Sequence, residues 1–359
     1  MVVGAGLAGA AVAHELAARR RRVVLVGTRD DALAPSLGHV LVGPGIPYAD
    51  AIARFGRDHA RQVWESQREN GDRLRLFVDG LGDGCGYRRA GGFLLAADRA
   101  EGMRLAESED LLREDGFVGE FLDHYMLEAR FDVKGFAAAY WAADDAELDA
   151  PRLLVALLAA AASEGAVVRP AGPDVTLALE DDFVVVEGPA GRLRAPWGVL
   201  TAEAGLAGIA GPEARGVRSA VLRGLTRRVA PGASLPSPAR TADGAFSWQA
   251  LGDRLLLAAG GRPAEAPDFG PDFGKLREMA GRLACLPDPE TAWEAAAGVS
   301  PDGLPVVGLV PDRPLAVAVG LGTLATSFAF MAARWLAEAI ASGRDPTPAP
   351  LRPRRFADV

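Results

Sequence analysis

Cysteine is almost absent: Cys85 and Cys285 are the only two in 359 residues. They lie far apart, so neither a disulfide framework nor a cysteine-based metal site is expected. The four histidines, His14, His39, His59 and His124, show no zinc spacing. No GxSxG, HExxH or Walker lysine occurs, which removes the common hydrolase, metalloprotease and P-loop readings. There is no Lys/Arg tail and the formal charge is −8, so nucleic acid is not an expected partner. No charged n-region with an apolar h-region precedes the first glycine turn, so no signal peptide is expected, and a reducing cytoplasm is the expected compartment. One uncharged stretch, 314–333, just reaches spanning length. It is β-rich first, is then broken by Gly320-Leu321-Gly322-Thr323, and resumes as a helix carrying Arg334 and Glu338. It therefore reads as strand, glycine loop and helix, not as a membrane span.

What the chain does have is glycine, 43 in all, and the most informative of them come first. Val2-Val3 runs into Gly4-Ala5-Gly6-Leu7-Ala8-Gly9, which opens an Ala-rich helix. A strand, a GxGxxG turn and a helix in that order form a dinucleotide cradle. Gly4 permits the tight turn, Gly6 lets a pyrophosphate approach the backbone, and Gly9 lets helix and strand pack closely. The helix N-terminus then offers free N–H groups and a positive dipole end to the phosphates. A second strand follows at 23–26. Where a ribose-binding acid is expected next, the chain has Gly27, then Thr28-Arg29-Asp30. Thr28 and Arg29 keep an NADP reading open. The other reading is that Thr28, a backbone group or Asp30 holds the ribose of a flavin adenine dinucleotide (FAD).

Farther along, 48–81 reads as helix, 93–96 as strand and 107–115 as a short helix. A capped helix starts at Asp149-Ala150-Pro151 and ends at Gly165. Short strands at 175–179, 183–187, 192–195 and 199–201 suggest a β-meander. Strands 246–249 and 255–259 form a hairpin around Gly252-Asp253. The Pro/Arg-rich residues 343–359 read as a surface tail.

The stretch Trp293-Glu294-Ala295-Ala296-Ala297-Gly298-Val299-Ser300-Pro301-Asp302-Gly303-Leu304-Pro305-Val306-Val307-Gly308 resembles the signature of the FAD-dependent D-amino-acid oxidase superfamily. That superfamily includes glycine oxidase, sarcosine oxidase and γ-glutamylputrescine oxidase. Gly38-His39-Val40-Leu41-Val42-Gly43 with Tyr48 is similar to the last branch. Asp145–Leu153 resembles the family's acid-rich turn into a helix, and the 246–262 hairpin its substrate-domain hairpin. The resemblance implies an α/β (α+β) fold: a Rossmann-like FAD-binding domain of glutathione-reductase type with an interleaved antiparallel/mixed β-sheet substrate domain. The expected division is 1–45, 140–215 and 298–345 for FAD, 46–139 and 216–297 for substrate, and 346–359 as the tail. The implied cofactor is FAD. The implied reaction is oxidation of an amine or amino-acid C–N bond by hydride transfer to the flavin, with hydrolysis of the imine. A non-catalytic or weakly flavin-binding subunit of a heteromeric complex is the alternative.

On this resemblance the cofactor-binding residues are Gly4, Ala5, Gly6, Leu7, Ala8, Gly9, Thr28, Arg29, Ser36, Gly38, His39, Val40, Val175, Thr201, Glu203, Gly205, Gly298, Gly320, Leu321, Gly322, Thr323 and Leu324. His39, Trp248 and Gln249 are the catalytic candidates. His39 is a covalent flavin anchor, a non-covalent contact or a structural residue. Trp248 and Gln249 alternate along a strand, so one faces the cavity and the other packs. Arg218 is expected in a buried ion pair, with substrate binding as the alternative. Four positions depart from the family pattern: Gly27, Glu203, Leu324 and Ala325. Ala325 would be crowded if its site needs a positive φ, and Gly27→Glu is expected to tighten FAD. Val299 and Ser300 stand where carboxylate-binding relatives place an arginine. That implies an amine substrate, or a carboxylate held elsewhere.

Overall fold

A computed structural model describes residues 1–27, 37–169, 175–188, 191–201, 217–232, 235–259, 273–283, 286 and 291–356. It divides into two units, one formed by 1–36, 150–220 and 296–359, the other by 37–149 and 221–295. Segments 37–45 and 140–149, grouped with the glycine turn in the sequence, belong to the second unit. The reason is strand pairing: His39–Val40 pairs antiparallel with Ala146–Glu147.

The first unit is built on a six-stranded sheet in the order Val306–Leu309, Leu315–Val319, Gly198–Leu200, Val2–Val3, Val24–Val26, Val167–Arg169. All neighbours are parallel except the first pair. Parallel strands covered on both faces need continuous apolar runs, which explains Val-Val, Val-Leu-Val and Leu-Ala-Val-Ala-Val here. The Ala-rich Leu7–Ala18 helix packs on Ala150–Ser163 and Ala325–Ser342. A three-stranded antiparallel meander spans Thr176–Glu180, Phe183–Gly188 and Gly191–Ala195. Its first turn places Asp181 and Asp182 at φ 45° and 62°, the positive-φ pair of a tight hairpin. The segment Gly322–Ser342 has the length and composition to cross a membrane, but 67% of its most apolar window is buried within the protein.

The C-terminal segment is not a surface tail. Residues Ala349–Leu351 and Pro353–Phe356 form short 3-10 turns; Leu351 is fully buried, and Phe356 packs on the apolar cluster of the first unit. Pro/Arg-rich composition marks solvent-facing chain only when nothing packs over it, and here a strand and an ion pair do.

The second unit centres on an eight-stranded mixed sheet. Its order is Thr291–Val299, Arg218–Arg228, Arg254–Ala259, Phe246–Leu251, Ala239–Thr241, Gly92–Ala96, Ala138–Ala142, Gly119–Asp123. One face buries Phe93, Leu95, Ala139, Ala239, Trp248 and Leu257 with Leu276 and Met279 of the Phe273–Arg282 helix. By the two-residue period, Leu94, Tyr140, Arg240 and Ser247 occupy the other face. They share one row across four strands: Leu94 opposite Tyr140, Arg240 opposite Leu94 and opposite Ser247. The expected 48–81 helix is two helices, Tyr48–Phe55 and Arg57–Asp79, broken at Gly56, where φ is 82°. The Arg99–Glu114 helix starts earlier than its apolar periodicity suggests. Asp98 caps the Glu101 amide while the Glu101 carboxylate accepts from the Ala97 amide. Arg218 is exposed, so the expected buried ion pair is absent at that residue.

Candidate active site

The glycine turn shows why three glycines are needed. Gly4 sits at φ 113°. A Cβ on Gly9 would overlap the Gly4 carbonyl oxygen and come within 2.7 Å of Thr201 Oγ1. A Cβ on Gly6 would meet nothing within 4 Å, so the backbone there is open to a bound group. Gly6 is also the N-cap of the Leu7–Ala18 helix, and no side chain caps that end. Open backbone plus an uncapped helix N-terminus fits a pyrophosphate. Thr201 supports the turn from below: its hydroxyl lies 3.1 Å from Val3 O and 3.0 Å from Gly4 O and can donate to either.

In the same unit, the loop 320–324 leads into the Ala325–Ser342 helix, which likewise has no side-chain cap. Gly320 and Gly322 are left-handed at φ 69° and 48°. Leu321 and Leu324 are buried, and Leu321 bridges Val299 beside Gly298. Ala325 sits at φ −54°, ordinary helix, so the expected crowding of its Cβ does not arise. Val175 is half-buried against the apolar cluster of this unit. Thr28, Arg29, Ser36, Glu203 and Gly205 lie outside the described residues. At Gly27 a Cβ would come within 2.7 Å of the Ala5 amide nitrogen and Cβ. Gly27→Glu would therefore push on the glycine turn itself, and the expected gain in FAD affinity is withdrawn.

The three catalytic candidates lie in the second unit. His39 is buried, with Nε2 2.9 Å from the Trp248 carbonyl. A carbonyl only accepts, so Nε2 carries the proton and donates. Burial, and then the nearby Arg240 charge, push the His39 pKa down to about 3, against the raising effect of that bond. A buried neutral ring with Nε2 committed to the backbone favours the structural reading of His39 over the covalent anchor. FAD, once bound, should therefore stay in the supernatant after acid precipitation; a yellow pellet would show covalent attachment. Trp248 is fully buried, donates Nε1–H to Pro236 O and packs against Phe136. Gln249 is also fully buried and donates to Leu148 O, while its Oε1 has no partner. Gly38, at φ 49°, lies so close to Leu148 O that any Cβ would overlap it.

The cavity in this unit is lined by other residues. It is partly open to solvent, with an inner water-accessible volume of about 20 Å³. Its polar wall is Arg240, Asp145, Tyr48, Tyr140 and Ser108, and its apolar wall includes Trp64, Leu94 and Leu105. Arg240 is 8% exposed, and its Nε has no hydrogen-bond partner. Its nearest carboxylate is Asp145, at 3.8 Å from Nη1, too far for a hydrogen bond. Asp145 Oδ1 accepts instead from the Val42 amide at 2.7 Å. Gly92 makes room for this carboxylate, since a Cβ there would lie 2.5 Å from Asp145 Oδ2. Burial raises Asp145 to about 6, opposed by Arg240 and the Val42 amide, and burial likewise lowers Arg240. Both shifts run against an ion pair: desolvation outweighs the mutual attraction. Arg240 thus keeps unused capacity for an anion.

Neither residue stands out in the sequence. Asp145 sits in an acid-rich turn, and Arg240 is one arginine among small residues. Only the pairing of Ala239–Thr241 beside Gly92–Ala96 brings the two together.

A mostly parallel sheet with an open glycine turn and two uncapped helix ends defines a dinucleotide-binding fold. Residues 1–339 match the FAD dependent oxidoreductase (DAO) family, and the chain belongs to it. Among solved structures it is similar to glycine oxidase from Geobacillus kaustophilus (TM-score 0.79, 21% identity, covering 98% of this chain and 96% of that one). Iminodiacetate oxidase from Chelativorans sp. BNC1 gives 0.74 and 21%, with 98% of each chain covered. L-proline dehydrogenase from P. horikoshii gives 0.79 and 15%, with 99% and 97% covered. No curated protein matches.

Proposed function

We propose that this FAD-dependent oxidoreductase oxidises the C–N bond of an amino acid whose carboxylate is held by Arg240. The observation that carries the reading is that the buried Arg240, whose Nε has no hydrogen-bond partner, belongs to the lining of this cavity. A plain amine would leave that charge unused, whereas a carboxylate satisfies it with two charge-assisted bonds. FAD, when bound, supplies the acceptor for the hydride leaving the carbon next to nitrogen. The chain's own residues bind and orient. Gly4, Gly6 and Gly9 with the Leu7–Ala18 helix end hold the pyrophosphate, and Arg240 holds the carboxylate. The substrates named for the solved structures above, glycine, iminodiacetate and L-proline, all carry a carboxylate, which agrees with this reading.

The test is a flavin-fluorescence titration followed by an oxidation assay on amino acids and on the matching decarboxylated amines. FAD uptake with turnover of amino acids only is the expected result. Turnover of amines alone would reverse the substrate assignment. A chain that takes up no FAD would favour the alternative, a weakly flavin-binding subunit of a heteromeric complex.

The same cavity gives a pH dependence. Above about pH 6 the ionised Asp145 carboxylate shares the field of Arg240 with any bound anion; below it Asp145 is protonated and the competition ends. Binding of acetate to the chain, followed by calorimetry, should therefore tighten as the pH falls from about 8 to about 5.5. In Asp145→Asn it should be tighter at about pH 8 and nearly flat across that range. A wild-type affinity independent of pH would remove Asp145 from the site.

A further inference from the structure

We infer that Arg355 is a positioning residue for the cofactor loop 320–324, so that the C-terminal segment serves FAD binding as well as the fold. This rests on the reading that the chain binds FAD. Arg355 and Asp302 are both largely buried, with side-chain exposures of 12% and 19%. Three of the guanidinium's four hydrogen bonds go to one turn, and Nη1 donates the fourth to Arg352 O at 3.4 Å. Nε donates to Asp302 Oδ2 at 2.7 Å, and Nη2 donates to Asp302 Oδ1 at 3.1 Å and to Leu304 O at 2.6 Å. Its plane lies 4.4 Å from the ring centroid of Phe356, which fixes its approach.

Asp302 passes the constraint on. Its Oδ1 also accepts from the Leu304 amide at 3.1 Å, and the Ser300 hydroxyl lies 2.8 Å from Oδ1 and 2.6 Å from Leu304 O and can donate to either. Ser300 is buried, and the next residue back, Val299, bridges Leu321. Gly320 lies against the same backbone: a Cβ there would sit 3.6 Å from the Ser300 amide. Leu321 in turn accepts from the Leu324 amide at 2.7 Å, closing the 3-10 turn that starts the uncapped helix. The C-terminal segment is held on its other side by Asp345, which accepts from the Leu309 amide at 2.9 Å. The relay thus runs from Arg355 through Asp302 and Ser300 to Val299, and across the bridge to the loop. The loop has two left-handed glycines and no side-chain cap of its own, so this bridge limits its conformations.

The variants are Arg355→Ala, Arg355→Lys and Asp302→Asn, each in the full chain. The readouts are the FAD dissociation constant from fluorescence quenching and hydrogen exchange of the Leu321 and Leu324 amides in the FAD-free chain. Arg355→Ala should weaken FAD about tenfold and speed exchange at both amides. Arg355→Lys should recover part of each, because the ammonium still reaches Asp302 but cannot fork. If Arg355→Ala does not fold, Asp302→Asn, which keeps volume and removes the charge, must show the same two changes. Unchanged FAD affinity with unchanged loop exchange, at whatever melting temperature, overturns the inference. A wild-type chain that binds no FAD would instead defeat the functional reading, and the exchange data would still decide whether Arg355 holds the loop.

Discussion

Gly9→Ala should leave the chain unable to hold FAD and destabilise it by about 3 kcal/mol, the upper part of the range for an overpacked site. The new Cβ would overlap a backbone carbonyl, which cannot rotate away as a side chain could. Gly6→Ala should behave differently. Nothing lies within 4 Å of its Cβ, so the chain should fold with an unchanged melting temperature and still lose FAD affinity, by about two powers of ten. Thermal melts with and without FAD, beside a fluorescence titration, separate the two. Equal FAD binding by Gly6→Ala and wild type would mean that the pyrophosphate does not approach this turn.

Arg240→Met should lower kcat/KM for an amino acid by about one to two powers of ten, chiefly through KM. It also leaves Asp145 buried without the cation that holds its pKa down, so the carboxyl should be protonated near pH 7 and some stability lost. The double variant Arg240→Met/Asp145→Asn separates the two effects. It should recover most of the stability, since an amide still accepts from the Val42 amide, and recover none of the substrate affinity. Steady-state kinetics and melts on all three proteins measure the coupling. Unchanged KM in Arg240→Met would show that the carboxylate is held elsewhere.

The parts of this fold that could be read in the sequence are those whose signal is local. Val2-Val3 before Gly4-Ala5-Gly6-Leu7-Ala8-Gly9 declares strand, turn and helix within a few residues, and the Gly252-Asp253 hairpin does the same. Three features were not legible because their meaning is not local. The first is the Asp145–Arg240 cavity, which depends on a parallel pairing between segments far apart in sequence. The second is His39, whose family motif suggests a flavin contact but whose ring is committed to Trp248 O. The third is the C-terminal segment, whose Pro/Arg-rich composition hides a buried Leu351 and an internal partner for Arg355. Gly56 shows a smaller version of the same problem: a glycine within a helical pattern is tolerated or breaks the helix depending on packing.

The order of strands in the first unit also sets a timetable for synthesis. Val2–Val3 leaves the ribosome before the other strands of its sheet and lies in the middle of it, but its neighbour Gly198–Leu200 and the next strand out, Leu315–Val319, follow much later. At about 5–20 residues per second the completing strand emerges roughly 15–60 s after the glycine turn. Through that interval the N-terminal strand can pair with Val24–Val26 and later Gly198–Leu200, but the sheet lacks its Leu315–Val319 and Val306–Leu309 side. The sheet under the nucleotide cradle is therefore completed late in synthesis, although the glycine turn comes early. Chains interrupted before residue 315 carry the complete fingerprint and cannot complete the sheet that supports it.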